Sequence, residues 1–129
     1  MTRRRSAWAA FTDWVERDRS ADRRAARRNV DDLLADARRR IEPRRTPEQA
    51  HEALREGALI VDLRSNDDRR QRGVVPGSIH IPRLVLEWRV DPDCEFRNPA
   101  ACDLEREVIL MCSDGFSSSF AALSLRELG

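Results

Sequence analysis

Apolar positions along this chain recur at helical spacing up to about residue 45 and then break into short runs separated by polar segments. Trp8, Phe11, Trp14 and Val15 return at that spacing with Arg and Asp between them, which predicts a short amphipathic helix. Ser20 precedes an Arg/Ala/Asp stretch to Arg40 in which Val30, Leu33, Leu34, Ala37 and Ile41 form one apolar stripe, predicting a second helix. Thr46-Pro47-Glu48-Gln49 then reads as an N-cap followed by proline at the first helical position.

From that cap the pattern alternates. It predicts a helix over 47–56 stopped by Gly57, a strand over 58–63 (ALIVDL), a polar helical turn over 65–72 and a Gly-Val-Val-Pro-Gly turn. A strand over 78–81, a helix over 82–90, a loop to about 106, a strand over 107–112 and a helix over 117–128 follow. Short β-branched strands alternating with helices predict an α/β domain with a mostly parallel sheet. In such sheets sites gather at the carboxyl ends of the strands.

Composition divides the chain at the same place. Charged residues make up 36% of the 129 positions, yet the net charge is only +1. Residues 1–45 carry fourteen Arg against eight acidic residues, and 46–129 carry ten Arg against fifteen. We therefore read an Arg-rich helical extension over 1–45 and one domain over 46–129. Acidic residues interleaved with the arginines predict a solvated, salt-bridged helix face, so no nucleic acid is expected as a partner. The basic helices remain a candidate docking segment for a protein. No apolar run approaches the roughly 18 residues that crossing a bilayer requires, and Thr12 and Asp13 interrupt the only stretch resembling a leader, so no membrane association is expected and the cytoplasm is the expected compartment.

Cys94, Cys102 and Cys112 are odd in number and show no paired spacing, and His51 and His80 lie apart, so neither a disulfide framework, a metal site nor a cofactor is expected. Cys112 stands out by position. It ends the most apolar predicted strand and leads through Ser113, Asp114, Gly115, Phe116, Ser117 and Ser118 into the last helix. A strand-end cysteine is often a small buried hydrophobe. Here, however, the unpaired amides of a tight loop and the positive end of a helix dipole would favour thiolate over thiol. Gly115 permits the turn that aims several N–H groups inward, and the serine hydroxyls can cap the helix and add donors.

These segments resemble the rhodanese family, over 46–129. Thr46-Pro47-Glu48-Gln49-Ala50 is similar to its entering segment, Ile60-Val61-Asp62-Leu63-Arg64 to its strand with D-x-R, and Val75-Pro76-Gly77-Ser78-Ile79-His80-Ile81-Pro82 to its I-P-G-A-x-N-I-P element. Cys112-Ser113-Asp114-Gly115-Phe116-Ser117-Ser118 resembles its active-site loop, and Val85-Leu86-Glu87-Trp88-Arg89 a family variant that brings Arg89 near the site. The resemblance implies a rhodanese-like sheet flanked by helices and a sulfurtransferase activity. Cys112 would take sulfane sulfur from thiosulfate or a similar small donor, hold it as a persulfide and pass it to a thiol or cyanide-type acceptor. Asp62 would order the backbone, and Arg64 or Arg89 would neutralise the donor's charge.

Two departures from the pattern bear on that activity. Family loops often carry Arg five residues after the cysteine, where Ser117 stands here, and Asp114 adds a negative charge. The family also continues past its active-site helix with a further strand and helix, whereas this sequence stops at Leu128-Gly129, so a C-terminally incomplete domain is expected. The alternative function is a non-catalytic rhodanese-like binding or regulatory module. A cysteine-dependent phosphatase would need Arg at position 118, which is Ser.

Overall fold

The computed structural model describes residues 6–9, 12 and 27–129. Residues 7–9 and 12 are helical, while Phe11, Trp14 and Val15 of the first expected helix, and 20–26 of the second, lie outside the described residues. The chain forms two compact units, Met1–Leu33 and Leu34–Gly129. Residues 34–45 thus share a unit with the domain rather than with the head.

Helix α1 (Val30–Arg40) opens on Asn29, whose side-chain oxygen accepts from the amide of Asp32 at 2.9 Å while Asp32 accepts from the amide of Asn29 at 3.1 Å. Two orphan N–H groups are satisfied in one exchange. Thr46 and Gln49 make the same exchange at the start of α2 (Pro47–Arg55), as the sequence predicts. Strand β1 (Leu59–Asp62), helix α3 (Asn66–Arg72) and strand β2 (Ile79–His80) follow. The helix expected over 82–90 divides into a 3₁₀ turn at Arg83–Val85 and α4 (Leu86–Val90), and a second 3₁₀ turn, Pro99–Ala101, interrupts the expected loop. Strand β3 (Val108–Met111) and α5 (Ser117–Leu128) complete the unit.

The three strands form a parallel sheet in the order β2-β1-β3, with Leu59 beside Val108 and Asp62 beside Met111. β1 is central, and all four of its residues are buried. Its alternation separates two environments. Leu59, Val61 and the following Leu63 join Ile81, Leu86, Ala101 and Ala121 in one apolar core, and Ile60 and Asp62 point the other way. The fold is the α/β arrangement with a parallel sheet that the alternating pattern implies.

The second half of α1 is tied to α5. Ala37 and Ile41 are buried. Arg126 donates to the carbonyl of Arg40 at 2.6 Å and to that of Ile41 at 3.3 Å, satisfying acceptors that the end of α1 would otherwise leave open. Arg45 forks onto Glu107 beside β3 at 2.8 and 3.1 Å. β3 is an outer strand among the described residues, and its Val108, Ile109 and Leu110 line a cleft of about 430 Å³ together with Arg44, Arg45, Ser118 and Ser119.

Candidate active site

β3 delivers Cys112 to the carboxyl edge of the sheet, one residue past its last strand residue. The chain then turns at Gly115, whose φ of +77° lies in the region that only glycine enters at little cost. Two amides donate to the sulfur and one hydroxyl stands against it, accepting from the thiol and donating to the thiolate. The amide of Gly115 lies 3.2 Å from Sγ, the amide of Ser118 3.4 Å and the hydroxyl oxygen of Ser118 3.2 Å.

The cysteine therefore occupies the place of a helix cap. Phe116 precedes α5 without a side-chain cap bond, and the N–H of the second helical residue, Ser118, points at the sulfur. The serine hydroxyls expected as caps serve other partners: Ser118 faces the sulfur, and Ser119 donates to the carbonyl of Gly115 at 2.7 Å. Burial pushes the Cys112 thiol up. The Ser118 hydroxyl and the amides of Ser118, Asp114 and Gly115 outweigh that cost and hold it below the ordinary thiol value. Ser113 hydrogen-bonds Asp68 of α3 at 3.4 Å, so the far side of the loop is also anchored.

Asp62 and Arg64 form a separate buried pair. Arg64 gives Asp62 its backbone amide at 3.0 Å and two guanidinium donors at 3.0 and 2.9 Å, and Arg69 adds a third cationic contact at 3.3 Å. The Asp62 side chain is 0% and that of Arg64 7% exposed, so this guanidinium is committed to its carboxylate. Burial raises the pKa of Asp62, and the bonds and charge of Arg64, with the charge of Arg69, bring it below the usual carboxylate range. Arg64 also donates to the carbonyl of Gly73, and His80 bonds the Arg64 carbonyl at 2.8 Å. This network orders the backbone after β1. Arg89 is turned to the carbonyl of Phe96 at 2.6 Å. Neither Arg64 nor Arg89 bonds residues 112–118 among the described residues.

A family model of the rhodanese-like domain matches residues 46–129. The chain belongs to the rhodanese-like domain family. No curated protein matches it. Among solved structures it is similar to a protein of unknown function from Rhodopseudomonas palustris CGA009, described as a possible tyrosine phosphatase. The two are 27% identical with a TM-score of 0.71, over 79% of this chain and 78% of the other. That share exceeds residues 46–129, so the likeness takes in part of the segment ahead of Thr46.

Two arginines of that segment reach the rhodanese-like loop, and sequence reasoning missed both. Arg38 of α1 donates to the carbonyl of Gly115 at 3.3 Å and to Ser119 Oγ at 3.4 Å, with its guanidinium carbon 5.7 Å from the centre of the Phe116 ring. Arg44 brings Nη2 to 3.0 Å from the point where a β-carbon on Gly115 would stand. With 24 arginines in the chain, no local signal marks these two. The one clue is that Arg38 follows Ala37 directly and Arg44 comes three residues after Ile41, at the end of the stripe that docks. Among the described residues no His, Cys, Asp or Glu cluster has the makings of a metal site.

Proposed function

We propose that the chain is a rhodanese-like sulfurtransferase that carries sulfane sulfur as a persulfide on Cys112. The observation that carries this reading is the convergence of two amides and one hydroxyl on a sulfur with a lowered pKa. A thiolate is the required nucleophile, and donors already aimed at it need no reorganisation when charge moves onto the second sulfur.

With thiosulfate as donor, the Cys112 thiolate attacks the outer sulfur. A new S–S bond forms, the donor's S–S bond breaks, and its electron pair leaves with sulfite. The persulfide then yields its outer sulfur to a thiolate or to cyanide, and the bonding pair returns to Cys112. Asp62 supports the site by fixing the backbone that precedes α3. We place the reaction in the cytoplasm, a compartment suited to the free cysteines; no helix among the described residues is long and apolar enough to cross a membrane. A protein acceptor docking on the basic residues before Thr46 is consistent with their charge.

The test is intact mass after incubation with thiosulfate. One added sulfur is expected, removed by cyanide or dithiothreitol and absent in Cys112→Ala. A folded protein that gains no sulfur is instead the non-catalytic module.

A second reading rests on the possible tyrosine phosphatase among its structural neighbours. A thiolate ringed by amides also suits attack on a phosphate monoester, and Arg38 and Arg44 offer positive charge beside the loop. Ser118 stands where such a reaction needs a loop arginine to clamp the phosphate, so turnover of p-nitrophenyl phosphate is expected to be negligible beside sulfur loading.

A further inference from the structure

The rhodanese-like loop lacks a cation of its own, and Asp114 makes it more negative. A donor such as thiosulfate carries two negative charges, so the site needs positive charge from outside the loop. Arg64 is bound to Asp62 and Arg89 to the Phe96 carbonyl. Arg38 and Arg44 stand at the loop itself, against Gly115.

The two are held differently. Arg38 is fixed by its bonds to the Gly115 carbonyl and the Ser119 hydroxyl, and Ser119 donates to the same carbonyl, so that carbonyl is engaged from two sides. The Gly115 amide is thereby left to face Sγ at 3.2 Å. Arg44 has no hydrogen bond or ion pair among the described residues, is exposed, and lines the same cleft as Ser118.

Reach decides whether Arg44 can serve a donor bound at Cys112. Sγ to the Gly115 amide is 3.2 Å, and Arg44 Nη2 is 3.0 Å from the Gly115 β-position. Joined through ordinary covalent bonds, these place Nη2 no more than about 9 Å from Sγ. A thiosulfate poised for attack extends from a near-attack S···S separation of about 3.3 Å, through an S–S bond of about 2 Å, to its sulfonate oxygens. One more hydrogen bond of about 2.8 Å then brings a guanidinium nitrogen to roughly the same distance.

We infer that Arg44, contributed by the segment ahead of the rhodanese-like domain, binds the anionic end of the sulfur donor, and that Arg38 is the positioning residue that turns Gly115 toward the sulfur. The inference rests on the sulfurtransferase reading and adds that the donor is an anion recognised from outside the loop. Arg44 meets the leaving sulfite portion and stabilises its charge as the S–S bond breaks. A guanidinium suits a sulfonate because two of its N–H groups can engage two oxygens at once.

The test compares, in the full chain, the rate at which Cys112 is loaded by two donors: thiosulfate, which leaves one sulfur and expels sulfite, and an uncharged dialkyl trisulfide, whose end sulfur the thiolate takes with its alkyl group as a mixed disulfide while an alkyl perthiolate leaves. Wild type is expected to load from both. Arg44→Ala is expected to raise KM for thiosulfate about tenfold to a hundredfold while leaving trisulfide loading within about threefold, as loss of a charge-assisted contact predicts. Arg44→Lys is expected to recover part of the loss. Arg38→Ala is expected to slow loading from both donors and to raise the pH at which the Cys112 thiolate forms, a change that loss of packing alone would not give.

The outcomes separate the two claims. Wild type that gains no sulfur from thiosulfate overturns the sulfurtransferase reading and this inference with it. Wild type loading from thiosulfate, with Arg44→Ala unchanged toward thiosulfate or equally impaired toward both, overturns this inference and leaves the sulfurtransferase standing. A thermal melt of each variant shows that the folded protein is being compared, and Arg44→Gln, of similar length, gives the same decision should the alanine variant unfold.

Discussion

The hydroxyl of Ser118 lies 3.2 Å from the sulfur of Cys112, and the amide of the same residue points at that sulfur from 3.4 Å. One residue thus supplies two of the three groups at the sulfur, and its position in the first turn of α5 adds the positive end of the helix dipole. Ser118 stands six residues after the cysteine, where a phosphatase loop would need its arginine. A hydroxyl there stabilises charge on the sulfur itself, whereas a guanidinium would reach past it to the oxygens of a phosphate.

Ser118→Ala removes one hydrogen bond to the charged form of Cys112 and keeps the amide. Such a bond is worth roughly 1.5–3 kcal/mol, and about 1.4 kcal/mol corresponds to one pKa unit. Alkylation of Cys112 by iodoacetamide in wild type is expected to inflect below the ordinary thiol value of about 8.5. In Ser118→Ala the inflection is expected at higher pH than in wild type, because the thiolate loses one of the groups that stabilise it. An unchanged profile would mean that the amides alone set the thiolate.

Asp62→Ala leaves the Arg64 guanidinium buried without its carboxylate. Breaking a buried pair from one side typically costs about 3–5 kcal/mol, and a loss of that order is expected in a denaturant melt. The acid dependence follows from the sign of the shift. The folded-state pKa of Asp62 is lowered, so its contribution is complete above the unfolded carboxyl value of about 3.9 and is lost as pH falls through the lower folded value. Wild type is expected to lose stability over that acid range, and Asp62→Asn to show a shallower dependence there.

Gly115→Ala forces a β-carbon into a left-handed conformation at φ +77° and sets it 3.0 Å from Arg44 Nη2. The backbone term is about 1–2 kcal/mol, which chemical denaturation measures. The guanidinium is the end of a flexible chain and can swing away cheaply. Thiosulfate loading is therefore expected to fall further than the loss of stability explains, and comparison with the uncharged trisulfide measures the excess.

Arg126→Ala removes the donors to the carbonyls of Arg40 and Ile41. Charge-assisted bonds to backbone acceptors predict a loss of about 1.5–3 kcal/mol and slower thiosulfate loading, because this contact fixes the segment bearing Arg44. Glu127→Gln breaks only the exposed pair with Arg40, at 3.0 Å, and is expected to cost under about 1 kcal/mol with loading unchanged. Paired melts and loading rates of the two variants check the contrast.

Much of the domain is legible along the chain. The cap at Thr46, the helix over 117–128 and three short apolar runs each follow from local chemistry, and the observed strands fall within the expected ones. The helix expected over 82–90 breaks where the Pro82-Arg83-Leu84-Val85 stretch makes one 3₁₀ turn before α4 starts. The exposure of Leu84 and the burial of Leu86 show how docking on the core, rather than propensity, sets that break.

At the site the division follows the range of the interactions. The Cys112 loop spans seven neighbouring residues, so its glycine, its hydroxyls and the helix after it mark a thiolate cradle in the local sequence alone. Asp62 and Arg64, two residues apart, are likewise close enough along the chain for one element to present both. Arg38 and Arg44 stand about seventy residues from the loop, among many arginines of the same character, and only the docking of α1 on α5 selects them. A charge acts through space and leaves no periodicity behind. The sequence by itself determined where the loop cysteine stands, between the last strand and the last helix, and the tertiary structure decided which cations stand beside it.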